Sequence, residues 1–177
     1  MTTYVALLRG INVGGNNSVS MAELKKVFES LKFKNVRTYI NSGNIIFETT
    51  LDITPQFIEK VERLLKKAFG FEINILVRDL KNIKKICKVA EDHWVNDALQ
   101  KTDVLFLWDE FNNKKTLKLL SIIPKIDTVL FVEGAIVWNI KRKNYAKSGM
   151  HKIIGTKLYK NVTIRNINTV RKLAALM

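Results

Sequence analysis

The sequence is poor in the residues that mark several protein classes. It has one cysteine, Cys87, so we expect neither an internal disulfide nor a multi-thiolate metal site. No apolar run approaches the roughly 18 residues of a membrane-spanning helix. The N-terminus lacks the basic-then-apolar layout of a signal peptide. We therefore expect a cytoplasmic protein that does not use the membrane as a partner.

Glycine and proline are also sparse, with eight glycines and two prolines in 177 residues. The chain has no Ser/Gly-rich or Pro-rich tract that would act as a linker. Helices and strands must therefore follow one another closely. With 47% apolar residues, the chain can form one domain of ordinary size or two small ones.

Acidic residues are scarce, and one part of the chain has none. The sequence holds 30 Lys and Arg against 16 Asp and Glu, a formal net charge of +14. From Gly134 to Met177 there are ten basic residues and no acidic one; we call residues 134–177 the basic segment. Such a field attracts polyanions and raises their association rate. An excess of lysine also keeps proteins soluble, so the segment favours a phosphate-bearing partner without requiring one.

Apolar periodicity predicts the same order of elements twice. Over residues 3–77 the order is β-α-β-β-α-β, with helices capped by Ser20 and Thr54 and a hairpin turn at 41–44. Beyond residue 101, strands are predicted at 103–108, 128–132, 135–140 and 162–165, and helices at 114–122 and 150–159. The second order is displaced by about 91 residues. The repeat rests on element order and not on residue identity.

This order is the split βαβ pattern of the ferredoxin-like fold. We predict an α+β protein made of two tandem ferredoxin-like βαββαβ units with antiparallel sheets, a linking helix and a C-terminal helix. The predicted boundaries are 1–78 for the first unit with its Gly/Asn loop, 79–100 for the linking helix and connector, and 101–177 for the basic second unit. Asn168 is predicted to cap the closing helix.

Four motifs resemble a known family. They are YVALLRGINVGG at 4–15, MAEL at 21–24, VRTYINSGN at 36–44 and TIRNINTV at 163–170. On these motifs the chain resembles the bacterial family called domain of unknown function 1697, which usually has Gln in place of Asn41 and often Trp in place of Ile167. The resemblance implies a duplicated ferredoxin-like arrangement and carries no established activity.

The polar and glycine residues of these motifs are our candidate ligand-binding residues. They are Arg9, Asn12, Gly14, Gly15, Asn41, Ser42, Asn44, Arg165 and Asn166. The loop at 10–17 joins a strand to a capped helix, where backbone N–H groups can hold an anion, although its spacing is neither a Rossmann fingerprint nor a P-loop. In a ferredoxin-like unit the third strand begins beside the end of the first, so Asn44 is expected near Arg9. We leave open whether residues 165–168 converge with them or whether these side chains only hold turns and caps.

No catalytic residue, metal site or cofactor is predicted. His93 and His151 have no cysteine or acid at ligand spacing, and no nucleophile elbow is present. Aromatic residues on the strands occupy positions at which RNA-recognition modules stack bases, but core packing is the commoner role; they are Tyr4, Phe47, Phe106, Trp108 and Trp138.

The leading interpretation is therefore a non-enzymatic binding protein for a phosphate-bearing partner, either nucleic acid, which we favour, or a phosphate-bearing small molecule. One alternative is an enzyme or sensor for a nucleotide or sugar phosphate that uses the loop from Arg9 to Asn17. The other is a structural or dimerising module, whose mark would be an exposed apolar sheet face.

Overall fold

The structure, a computed structural model, describes residues 1–14 and 17–177, so the candidate Gly15 lies outside the described residues. The chain divides into two compact units. The first comprises Met1–Leu80 with Leu176–Met177, and the second comprises Lys81–Ala175. None of the helices in the described part is long and apolar enough to cross a membrane.

The first unit has a four-stranded antiparallel sheet and two helices. Its elements are β1 (Thr2–Leu8), α1 (Met21–Ser30), β2 (Lys34–Tyr39), β3 (Asn44–Thr49), α2 (Pro55–Phe69) and β4 (Ile75–Asp79). The strand order is β2-β3-β1-β4. This is the ferredoxin-like order, with β1 and β3 at the centre, and it confirms the predicted fold of this unit.

Local sequence explains where the helices of this unit begin and end. The Ser20 hydroxyl accepts a hydrogen bond from Glu23 N, and the Thr54 hydroxyl accepts one from Phe57 N. Pro55 occupies the first turn of α2 because its missing N–H needs no partner there. Gly70 ends α2 at a φ of +82°, in the left-handed region that glycine enters without strain.

Both faces of the first sheet are buried. One face packs with α1 and α2 in a core that includes Leu24, Phe28, Phe47, Val61 and Leu65. Strand residues alternate between faces, and those of the opposite face are buried as well; they are Val5, Leu7, Ile46 and Leu76. The described residues of this sheet therefore offer no open apolar face.

The second unit repeats the sheet with less helix. Its elements are α3 (Leu80–Val89), β5 (Gln100–Leu107), β6 (Thr128–Val132), β7 (Ala135–Lys141), α4 (Lys157–Lys160), β8 (Val162–Asn166) and α5 (Ile167–Leu176). The strand order is β6-β7-β5-β8, all antiparallel. This matches β2-β3-β1-β4 position by position, so the prediction of two ferredoxin-like units is confirmed.

The two long helices predicted for this unit are wrong. The segment predicted as a helix at 114–122 is a 3₁₀ helix at Lys114–Leu119, and the one predicted at 150–159 is a 3₁₀ helix at Met150–Ile153 followed by α4. Gly155, at a φ of +88°, separates these two pieces, and the Thr156 hydroxyl then caps α4 by accepting from Tyr159 N. The apolar residues of 150–159 recur at helical spacing, but they lie on two short helical turns and not on one continuous helix.

A carboxylate and a close backbone contact hold these turns in place. Asp127 accepts hydrogen bonds from Ile123 N at 2.7 Å, from Gly149 N at 3.0 Å and from the Ser148 hydroxyl. A Cβ added at Gly149 would lie 1.7 Å from the Ser121 carbonyl oxygen, so only glycine fits there. The hydrogen bonds of Asp127 therefore fix these turns, where the first unit has a regular helix.

The predicted cap of the closing helix is also wrong. Strand β8 runs directly into α5, and Asn166 Oδ1 accepts from Thr169 N at 2.9 Å, which makes Asn166 the cap. Asn168 instead exchanges hydrogen bonds with the Asn96 backbone, accepting from its N at 3.1 Å and donating to its O at 2.9 Å. The cap falls two residues early because no loop separates strand from helix.

A residue-level repeat accompanies the last strand of each unit. Residues 77–86 read VRDLKNIKKI and residues 164–173 read IRNINTVRKL, and in each case the strand passes straight into a helix. Arg78 and Arg165 occupy equal positions, opposite Val5 and Val104 respectively. Each donates through Nη1 to the carbonyl of the residue before it, at 2.9 and 2.8 Å. The duplication is therefore visible in sequence at these ends.

Candidate functional site

In the first unit, Asn12 holds the Gly/Asn loop against the β2–β3 turn. Its Oδ1 accepts from Val19 N at 2.8 Å, and its Nδ2 donates to Val19 O at 3.0 Å and to Asn41 O at 2.9 Å. The backbone of Asn12 lies at a φ of +53°. The side chain thus uses its carbonyl and both amide hydrogens to shape the loop.

The β2–β3 turn is closed by Asn44, which is fully buried. Its Nδ2 donates to Tyr39 O at 2.9 Å and to the Ser42 hydroxyl at 3.0 Å. Gly43 lies at a φ of +77°, and a Cβ there would come within 2.7 Å of Ile11 and 2.8 Å of Leu8. The turn therefore packs tightly against the start of the loop.

The structure brings Arg9, Asn12, Asn41, Ser42 and Asn44 into one neighbourhood. The Leu8 N–H donates to Gly43 O at 2.8 Å, so the end of β1 lies beside the turn, as the topology predicts. Arg9 is half-buried next to this contact, whereas Gly14 and Asn41 are exposed. The geometric expectation that Asn44 lies near the end of β1 holds, and ligand binding by these residues stays a prediction.

The two second-unit candidates are deeply or partly enclosed. Arg165 is 7% exposed and donates through Nη1 to Thr163 Oγ1 at 3.0 Å. Burial lowers the pKa of its guanidinium to about 10, so it remains charged at neutral pH. Asn166 is half-buried and caps α5. Ligand binding by these two residues stays a prediction.

Three of the five strand aromatics are core residues. Phe47, Phe106 and Trp138 are each 0% exposed. In the first unit the Phe33 and Phe47 rings stack with centroids 4.6 Å apart, and the Tyr4 and Phe47 rings lie at 5.8 Å. Base stacking on an open sheet, as in RNA-recognition modules, needs exposed rings. Phe47, Phe106 and Trp138 do not provide them, so the expectation of core packing holds at these three positions, whereas Tyr4 and Trp108 are half-buried.

The basic segment presents most of its cations to solvent. Arg142 and Arg171 are occupied, because Arg142 Nη2 donates to Asn96 Oδ1 at 3.1 Å and Arg171 Nη1 donates to Trp94 O at 2.7 Å. Lys157 lies 3.9 Å from Glu110. The remaining lysines are exposed and make no ion pair within the described residues; they are Lys141, Lys143, Lys147, Lys152, Lys160 and Lys172.

Two of these lysines line a cavity in the second unit. The cavity, of about 490 Å³, is open to solvent, and we call it the β7 cavity; it is lined by His93, Ala98, Leu99, Gln100, Asn139, Lys141 and Lys143. Its size falls within the roughly 300–1,000 Å³ typical of small-molecule sites. None of its lining residues is acidic, so it is electrostatically suited to an anion.

A chain of hydrogen bonds orients the polar wall of the β7 cavity. Asn139 Nδ2 donates to Gln100 Oε1 at 3.0 Å and to Thr102 Oγ1 at 2.7 Å. Gln100 Nε2 donates to His93 O at 3.2 Å, and Thr102 Oγ1 donates to Val95 O at 2.8 Å. Both amide orientations follow from these partners.

Two carboxylates lie near the cavity rim, and both are engaged. Asp97 Oδ1 accepts from Gln100 N at 2.7 Å and from Leu99 N at 2.8 Å, and these N–H groups lower the pKa of its carboxyl. Glu91 Oε2 lies 3.4 Å from His93 Nδ1. Both carboxylates are therefore held outside the lining, whose lysines are Lys141 and Lys143.

Sequence reasoning missed His93, Leu99, Gln100 and Asn139 as residues of one cavity. It began the first strand of this unit at residue 103, whereas β5 begins at Gln100 and pairs Gln100 with Lys141. A strand extended back to Gln100 would have placed the connector beside the end of β7. The alternating pattern Gln100, Thr102 against Asn139, Lys141 was the available signal.

The fold and these features define an α+β protein with duplicated ferredoxin-like units and a basic second unit. Comparisons with known proteins agree. A family described as protein of unknown function (DUF1697) matches residues 1–138, and the chain belongs to this family. The match ends before the last of the four sequence motifs.

A solved structure extends the comparison to the whole chain. The structure of the conserved bacterial protein SP0830 from Streptococcus pneumoniae is similar to this chain with a TM-score of 0.82 and 32% identity. The match covers 99% of this chain and 98% of that chain. No curated protein matches the sequence. The comparisons thus support family and fold.

Proposed function

We propose that the chain is a binding protein for a phosphate-bearing partner, with nucleic acid favoured, and that the exposed lysines of the basic segment make the contact. The observation that carries this proposal is that six of these lysines are exposed without an ion-pair partner in the described part of the chain. Lysine ammonium groups next to phosphates release condensed counterions, which provides most of the binding free energy for nucleic acids.

The lysines of the first unit differ in their surroundings. Lys25 pairs with Glu29 at 3.5 Å and Lys66 with Glu72 at 2.5 Å. The other five lysines of this unit are exposed and unpaired in the described part of the chain, but they share the unit with eight acidic residues, whereas the basic segment has none. A mixed surface of this kind is the ordinary state of a soluble protein and attracts polyanions weakly. This contrast supports our choice of the second unit for the proposed contact.

The loop at 9–17 supports the competing small-molecule site less well. The Asn12 side chain of this loop already makes hydrogen bonds to the backbones of Val19 and Asn41. A ligand would have to displace those bonds to reach this amide, at a cost of about 1 kcal/mol for each lost bond. We therefore place the proposed function on the basic segment.

The experiment is a fluorescence anisotropy titration of labelled single-stranded RNA and duplex DNA across salt concentrations. We expect binding that weakens steeply with salt, with a log–log slope of about −3.5 for the single strand and about −4.5 for the duplex if five phosphates are contacted. Absence of binding to both probes at low salt would overturn the proposal.

Two matched triple variants locate the contact. The second-unit variant, Lys147→Gln/Lys152→Gln/Lys160→Gln, is expected to bind at least about 10-fold more weakly and to reduce the slope by about 2. The first-unit variant, Lys26→Gln/Lys60→Gln/Lys67→Gln, removes the same charge from exposed lysines and should change affinity much less. Equal losses in the two variants would contradict the assignment to the second unit.

A further inference from the structure

The β7 cavity combines three features that together suit a nucleotide. The first is cationic. Lys141 ends β7 and Lys143 lies in the 3₁₀ helix Arg142–Lys147 that follows. Both line the cavity, both are exposed, and neither makes an ion pair among the residues that the structure describes. Two ammonium groups on one wall match the charge of a phosphate monoester.

The second feature is an oriented acceptor. Because Asn139 Nδ2 donates to both Gln100 and Thr102, the Oδ1 of Asn139 is the atom left for a ligand. This oxygen makes no hydrogen bond within the described structure, although Asn139 is half-buried in the cavity wall. A ligand hydroxyl or exocyclic amine would satisfy it.

The third feature is an apolar side chain on a fixed backbone. Leu99 is 76% exposed, yet its N–H donates to Asp97 Oδ1 at 2.8 Å and its carbonyl accepts from Arg142 N at 2.8 Å. Ala98 lies beside it on the same lining. An exposed leucine held in this way offers a preorganised apolar wall for a planar group, whose burial is favourable.

We propose that the β7 cavity binds a nucleoside monophosphate, with Lys141 and Lys143 at the phosphate, Asn139 Oδ1 accepting from the sugar or base, and Leu99 packing against the base. This rests on the proposed affinity of the second unit for phosphate groups. It deepens that proposal because the same cavity takes either a free mononucleotide or one nucleotide of a strand. The volume of about 490 Å³ accommodates one nucleotide and not several.

The test is ligand-observed NMR and calorimetry with AMP, adenosine, inorganic phosphate and glucose 6-phosphate as separate probes. We expect AMP to bind at least about 10-fold more tightly than each of the others, because only AMP engages all three features. Equal binding of AMP and glucose 6-phosphate would overturn the base contact. Equal binding of AMP and adenosine would overturn the phosphate contact.

Variants locate the ligand. Lys141→Gln/Lys143→Gln and, separately, Leu99→Glu should each weaken AMP binding at least about 10-fold. Lys26→Gln/Lys67→Gln, in the first unit, carries the same charge change as the lysine pair and should leave AMP binding unchanged. An AMP affinity that is insensitive to both cavity variants would overturn the site.

The labelled RNA separates this inference from the proposed function. If RNA binds and AMP does not, the cavity site is wrong and the proposed function stands. If AMP binds through Lys141 and Lys143 while neither nucleic-acid probe binds, the cavity site stands and the nucleic-acid partner is wrong. Competition of AMP with 5′-phosphorylated but not 5′-hydroxyl RNA would show that the strand end is the source of the nucleotide.

Discussion

The two units share one strand order but differ in charge and in the way they cover their sheets. Met1–Leu80 holds eleven basic and eight acidic residues, whereas Lys81–Ala175 holds nineteen basic and eight acidic ones. The 15-residue α2 of the first unit corresponds to a 3₁₀ helix and the four-residue α4 in the second. Sheet topology therefore tolerates the loss of a helix, provided that other contacts fix the replacing turns.

Breaking those contacts should destabilise the second unit most. Gly149→Ala places a Cβ 1.7 Å from the Ser121 carbonyl oxygen, a backbone clash that side-chain rotation cannot relieve. We expect a loss of more than about 2 kcal/mol in the free energy of unfolding, measured by urea denaturation. Gly70→Ala is the control, since its added Cβ meets no atom within 4 Å and its cost, from the positive φ, is about 1 kcal/mol. Equal losses would show that the Ser121 contact does not hold the turns.

Removing the carboxylate should have the next largest effect. Asp127→Ala leaves Ile123 N, Gly149 N and the Ser148 hydroxyl without their acceptor, and we expect a loss of about 2 kcal/mol at neutral pH. Asp52→Ala, at an exposed carboxylate of the first unit, should change stability little.

The pH dependence of this loss has a definite sign. Partial burial raises the pKa of Asp127, but hydrogen bonds from Ser148, Ile123 and Gly149 outweigh this effect and lower the pKa overall from its ordinary value of 3.8. Its stabilisation is therefore present above 3.8 and disappears as the pH falls through the lower pKa of the folded state. The difference between wild type and Asp127→Ala should shrink over that window, and a difference that grows there would contradict the anchor.

The smallest effect is expected at Glu62, a carboxylate of the first unit whose pKa is shifted in the opposite direction from that of Asp127. Burial raises the pKa of Glu62, whose Oε1 accepts from Ile75 N at 2.8 Å. Its contribution is present below the ordinary value of 4.5 and declines as the pH rises through the raised pKa. Glu62→Gln keeps an acceptor for Ile75 and removes this decline. The resulting change in the free energy of unfolding should stay within about 0.5 kcal/mol, measured by denaturation curves at pH values from 4.5 to above the raised pKa. An unchanged pH profile would show that Glu62 does not titrate differently on folding.

The strands and the helix caps of the first unit could be predicted because each signal is local. Ser20, Thr54, Pro55 and Gly70 act on their own neighbours, so their roles follow from residue type. The 3₁₀ turns of the second unit could not be predicted in this way. They depend on Asp127, which lies 21 residues before Ser148 in the chain and meets it only after folding.

The candidate site shows the same division. That Asn44 lies near the end of β1 follows from strand order alone. That the Asn12 side chain donates to the carbonyls of both Val19 and Asn41 could not be predicted, because these contacts form only in the folded loop. The β7 cavity was missed because its wall comes from a connector and two strand ends that no sequence motif links.

Chemical-shift mapping tests the central claim of this account, that the second unit carries the phosphate-binding surface. The amide spectrum of the full chain would be recorded with and without single-stranded RNA, at low salt. We predict perturbed amides within residues 139–172 and at the 93–100 connector, with shifts that reverse on adding salt. Perturbations confined to Met1–Leu80, or none at saturating RNA, would contradict the claim.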